Sequence, residues 1–117
     1  MKKKHSDWRL PTFKELLTLV NEEKYNPACD LKDTVADYYW SSTVRTCFPD
    51  YAWTVNFYSG SKYFGTKDTS LYVRCVRDGK EEVQWSKGSE YEMTWNEASE
   101  YAEGLVTETY YTGKENE

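Results

Sequence analysis

Apolar positions recur at helical spacing in two places along the chain. In the first, Phe13, Leu16, Leu17 and Val20 fall on one face, the period of an amphipathic helix. Thr12 and Glu15 stand at its start as a capping box, with Pro11 just before them. The threonine hydroxyl can accept from the third helical N–H while the glutamate reaches back. A helix of about three turns is predicted there. Trp95, Ala98, Ala102 and Leu105 repeat the pattern behind a second box, Thr94 to Glu97. That second stripe has to be buried against something, yet only a polar tail follows it.

Between the helices the period falls to two. YYWSST at 38–43 carries aromatic and hydroxyl side chains rather than helix formers, which opens a β-rich middle. YAWTVNF at 51–57 alternates, with Tyr51, Trp53, Val55 and Phe57 on one side and Ala52, Thr54 and Asn56 on the other, as a half-buried strand does. Ser59-Gly60 predicts a hairpin turn, so that 61–64 returns antiparallel. LYVRCVR at 71–77 is apolar on both sides and is expected to be central and covered on both faces. Asp78-Gly79 then turns the chain so that EEVQW at 81–85 pairs back. NPACDLKDTVAD, broken by Pro27, reads as loop. Helix, strands, strand pair, helix is an α+β order around an antiparallel sheet.

The length of 117 residues fits a single domain over 1–117. Eleven Tyr and five Trp exceed what a core of this size needs, so part of this aromatic content is expected on the surface, where Tyr and Trp make binding faces. For any single Tyr the competing assignment is packing in an aromatic-heavy β core. The net charge of −5 divides unevenly: residues 1–80 hold 13 Lys+Arg against 10 Asp+Glu, residues 81–117 hold 2 against 10. The acidic end argues against a nucleic-acid partner, because phosphate contacts need a basic face. No apolar run is long enough to span a membrane. MKKKH is followed by SDWRLPTF rather than an apolar stretch, so no export signal is expected in the chain as given.

Cys29, Cys47 and Cys75 form an odd set with no C-x-x-C pair and a single histidine, His5. A zinc site or a Cys-His nucleophile does not fit that pattern. One disulfide with one free thiol and three reduced thiols both stay open. Ser41 and Ser42 beside Trp40 have no base placed for them and are expected to hydrogen-bond within turn and strand. No metal, no cofactor and no catalysis is expected. Trp8 is expected in the core, with Asp7 and Arg9 pairing or binding loop carbonyls where the first helix begins. Arg74 and Arg77 are expected in structural salt bridges.

DWRLPTFKELLTLV, YWSST and YVRCVR in that order, with YAWTVNF and a glycine-containing turn between the last two, resemble the Lcl C-terminal domain-like family. This is a bacterial family of largely unknown function, and the resemblance implies a C-type-lectin-like fold: two helices packed on a short-stranded antiparallel sheet with long loops. It covers residues 7–77, the family's usual second helix to last strand. Related lectin-fold families, formylglycine-generating enzymes among them, share the R-L-P-T stretch, but the paired active-site cysteines of those enzymes are not matched here. VQWSKGSEYEMTWNEASEYAEGL at 83–105 resembles the family's usual first strand and first helix, displaced to the C-terminus, as in a circular permutation or a piece of a tandem array. On that basis Trp95 and its stripe should pack on the sheet and on the first helix, within one chain rather than by swapping between two. The family's disulfide partner for Cys75 would lie in EYAEGL, which has no cysteine, and this implies a buried thiol.

The resemblance also places binding in the loops between the middle strands, at Arg45, Asp50, Tyr58, Lys62, Tyr63 and Lys67. Aromatic rings beside cations suit sugar faces or anionic, for instance sulfated, glycans. The alternative for these residues is ordinary solvated turns. The E-P-N and W-N-D clusters of calcium-dependent lectins are missing, and WNE at 95–97 lies inside the capping box, so calcium is not expected. The implied function is a non-catalytic ligand-binding or adhesion module, secreted or in a bacterial cell envelope. A structural repeat with no ligand of its own is the alternative.

Overall fold

The computed structural model describes residues 7–31, 33–79 and 82–112. The basic start MKKKH, Glu81 at the head of the predicted 81–85 strand and the last five residues of the predicted polar tail lie outside the described residues. Among the described residues seven elements follow one another: α1 (Phe13–Leu17), β1 (Tyr38–Arg45), β2 (Phe48–Asn56), β3 (Ser61–Thr66), β4 (Arg74–Asp78), β5 (Val83–Gly88) and α2 (Trp95–Gly104).

Both capping boxes form as the sequence dictates, but the first helix is short. Thr18, Leu19 and Val20 donate to Glu15, Leu16 and Leu17, three residues back, so the last turn tightens to 3₁₀ geometry. The Thr18 hydroxyl also takes the Glu15 carbonyl at 2.6 Å, competing with helical continuation. Val20 then leaves the helix to bridge Cys29.

β1, β2 and β3 form an antiparallel meander with β2 central. The tight turn into β3 depends on Gly60, whose φ is +86° and where an added Cβ would come 2.9 Å from Val20 Cγ1. Only glycine adopts that backbone without steric cost. The half-buried reading of β2 needs correction: Ala52 and Thr54, on its supposed outer side, are as fully buried as Val55. Trp40 lies opposite Thr54 in register, and its row faces α2.

β4 and β5 make a second, two-stranded sheet. Leu71 and Tyr72, expected at the head of β4, pair elsewhere. Leu71 bridges Met93, and Tyr72 pairs in parallel with β1 at Tyr39, which ties the two sheets together. Arg9 bridges Val76 on the free side of β4, and Tyr111 bridges Trp85 on the free side of β5.

Two clusters make the core. Trp8, Leu10, Trp40, Ala52, Val73, Cys75 and Met93 receive Ala98 and Ala102 of α2, with Trp95 and Leu105 packed at the margin. Leu16, Leu19, Cys29, Leu31, Tyr39, Val55, Phe57, Val76 and Trp85 form the other, with Phe13, Leu17 and Val20 against it. The α2 stripe is therefore buried within the chain, but not on α1. The expected C-type-lectin-like α+β arrangement, two helices packed on one sheet, is overturned: the molecule is mostly β, two small antiparallel sheets with two helices of five and ten residues in separate clusters.

The remaining structural residues differ in their partners. Arg9 donates twice to Glu15, at 2.8 and 3.0 Å, and to Asp78 at 3.2 Å, rather than to Asp7. This holds the Glu15 carboxyl below its ordinary range. Arg77 donates to the Gln84 amide and lies 4.5 Å over Trp8, so rings and an amide replace the expected salt bridge. Arg74 is buried, donating to the Thr34 hydroxyl at 3.2 Å beneath Tyr111. The Trp40 indole donates to Met93 O and the Trp95 indole to Ser41 O. All three cysteines are free thiols, and burial pushes Cys75 up to about 12.

Candidate functional site

The second half of β3 and the turn after it carry a groove. Two hollows, of about 460 and 540 Å³, share Tyr51 and Thr66. The first is walled by Tyr38, Tyr51, Tyr63, Phe64 and Leu71, with Thr54, Gly65, Thr66 and Thr69 between them. The second is polar, lined by Asp50, Lys67, Asp68, Thr94 and Asn96 beside the shared pair.

Strand geometry explains the ring wall. Antiparallel pairing puts Tyr51 opposite Thr66, Trp53 opposite Phe64 and Thr54 opposite Tyr63, so large side chains from neighbouring strands meet directly. Tyr63 lies stacked on Phe64 at 5.3 Å and tilted against Tyr38 at 6.1 Å. Phe64 in turn meets Tyr51 and Trp53 edge to face, and Trp53 stacks on Phe13 of α1 at 5.0 Å. An aromatic array thus runs from the first helix to the groove. Gly65 keeps the floor low: a Cβ there would sit in ordinary contact with Trp40, Leu71 and Thr54, so one added carbon fits without strain.

The polar end is built by the β3–α2 junction. Lys67 N–H donates to Asp50 O at 2.9 Å, and Trp95 N–H donates to Lys67 O at 3.0 Å. The Lys67 ammonium lies 4.2 Å over the Trp95 ring, a cation–π contact that fixes the end of the side chain. Thr66 and Thr69 share a hydroxyl hydrogen bond at 2.8 Å.

Of the six residues expected to bind, the structure gathers three, Asp50, Tyr63 and Lys67, into this groove. Arg45 backs it from outside, its guanidinium 3.8 Å over Phe64 and 4.6 Å over Phe48. Lys62 is exposed on β3 but lines neither hollow. Tyr58 stands apart at the β2–β3 turn, edge to face with the exposed Tyr25. Tyr38, Tyr51, Phe64, Asp68, Thr94 and Asn96 were not among the expected residues. Strand alternation could have pointed to Tyr51 and Phe64, whereas nothing local links the capping residues of α2 to β3.

Among the described residues, no group of three or more His, Cys, Asp or Glu is placed to hold a metal ion, and no helix is long and apolar enough to cross a membrane. A family model described as Lcl C-terminal domain matches residues 2–77, about two thirds of the chain. Comparison with curated proteins and with solved structures gives no match.

Proposed function

The chain belongs to the Lcl C-terminal domain family, and from that premise we propose that it is a non-catalytic glycan-binding module, acting without calcium in adhesion at a bacterial cell envelope or after secretion. The observation that carries the reading is the groove's two-part lining. Ring faces such as that of the exposed Tyr63 suit the C–H surface of a pyranose, and the hydroxyl, amide and charged groups of the polar end are of the kind that hydrogen-bond sugar hydroxyls. The three-stranded meander holds the ring wall on paired backbone, and backbone hydrogen bonds from Lys67 to Asp50 and from Trp95 to Lys67 hold the polar end, so little ordering remains to be done on binding.

A glycan array with wild type, Tyr63→Ala and Gly65→Val tests this. Wild type should retain a defined set of glycans, and each variant should lose roughly tenfold or more in affinity with its melting curve nearly unchanged, since one removes a ring face and the other fills the floor. Wild type binding no glycan above background would defeat the proposal.

A second reading, a structural repeat without a ligand, draws on one observation: α2 lies outside the matched stretch yet completes the core. If units of this kind stand in series, segments could be exchanged between them. Light scattering after size exclusion should give a monomer for the lone chain; a stable dimer would favour the repeat.

A further inference from the structure

We infer that the groove selects uncharged glycans and rejects polyanionic ones, an inference that rests on the glycan-binding reading above. The sequence offers three cations for an anionic sugar, Arg45, Lys62 and Lys67, and the fold withdraws most of that charge from the groove. The Arg45 guanidinium is laid on the Phe64 and Phe48 rings, and neither it nor Lys62 lines either hollow. Lys67 alone does so, with its ammonium against the Trp95 ring and two carboxylates, Asp50 and Asp68, in the same lining. The formal charge of the lining is therefore negative.

The N-terminus of α2, which borders the polar hollow, would ordinarily attract an anion. Here the chain itself supplies one. Glu97 Oε1 accepts from Thr94 N–H at 2.9 Å, the Thr94 hydroxyl accepts from Glu97 N–H, and Lys67 O takes the Trp95 N–H. The N–H groups of Thr94, Trp95 and Glu97 are thus paired within the chain, and a carboxylate already occupies the positive end of the helix. Beyond it, Glu100 and Glu103 are exposed on the same helix, within the acidic third of a chain of net charge −5. A sulfated or uronic polymer laid along the groove would bring like charges together, which costs affinity and slows association. A neutral polysaccharide meets no such penalty and keeps the ring contacts.

The test is an array of matched pairs, each backbone in neutral and sulfated form, probed with the full chain at about 50 mM and about 300 mM salt, conditions that differ in how far charge is screened. The neutral member should bind at least roughly tenfold tighter at low salt. The gap should narrow at high salt, and Asp50→Asn/Asp68→Asn should shift the sulfated-to-neutral ratio by roughly threefold or more toward the sulfated form, as expected for partly screened charges. Sulfated members binding as tightly as neutral ones in wild type would overturn the inference while leaving the glycan-binding reading intact. A preference that neither salt nor the double variant changes would assign it to the bulk of the sulfate and overturn the charge argument. A folded wild type that binds neither member of any pair would overturn both readings.

Discussion

At the scale of single residues, chemistry is set by what each group is packed against. Glu15 accepts two hydrogen bonds from Arg9 and one from Thr12 N–H, which lowers its pKa from the ordinary 4.5. A carboxyl depressed in the folded state contributes stability that is complete above its unfolded value and is lost as pH falls through the folded value. The difference in melting temperature between wild type and Glu15→Gln should therefore be largest above about pH 4.5 and shrink below it; a difference that persists at pH 2 would assign the effect to shape rather than charge. The thiols make a second case. Cys47 is exposed, whereas Cys29 and Cys75 are buried, and burial pushes Cys75 up to about 12. Ellman's reagent at pH 8 should titrate one equivalent in the native protein and three in denaturant. Fast reaction of a second native thiol would contradict the packing.

At the scale of elements, the sequence was most legible where a local signal agreed with burial. The α2 box and stripe were readable because Ala98 and Ala102 are small enough to let the helix lie close on Trp8, Trp40 and Val73. The α1 signal looked equally good, but β-branched Thr18 and Val20 and the Thr18 hydroxyl turn its second half away from helix, and a stripe of apolar residues does not register that competition. Leu71 and Tyr72 read as one strand with 74–77 because periodicity cannot show a change of partner. Thr94→Ala should cost about 1 kcal/mol by removing the cap, and Trp95→Ala about 3 kcal/mol by emptying its site. Gly60→Ala should cost more than about 1 kcal/mol through its positive φ and the Val20 contact. Urea melts would rank the three, and a neutral Gly60→Ala would disprove the turn geometry.

At the scale of the whole molecule, both core clusters draw on the C-terminal third: Met93, Ala98 and Ala102 in one, Trp85 in the other. A chain ending at Lys80 should therefore lose its cooperative thermal transition, even though it retains the matched family stretch. Circular dichroism would decide, and a sharp melt in the shortened chain would mean that one cluster suffices. The same arrangement explains what was legible of the groove. Asp50, Tyr63 and Lys67 came from the loops to which the family resemblance points, but Thr94 and Asn96 come from a helix whose place beside β3 is set by burial of its stripe. No spacing within the sequence encodes that neighbourhood.

The second sheet has a mechanical consequence. The leading segment is held at Arg9 on one edge and the trailing segment at Tyr111 on the opposite edge, each by two backbone hydrogen bonds of 2.8–2.9 Å, with the β4–β5 hairpin between them. Tension applied through the two flanks loads these bridges before it reaches the hairpin; Trp8 and Leu10, buried on either side of Arg9, anchor the leading one, so the Tyr111 bridge should give way first. Force spectroscopy on a tethered chain should record a small, readily reversible extension ahead of the main rupture, while the groove over β3 stays intact. A fold built this way would yield slightly under a tug and keep its aromatic wall in shape.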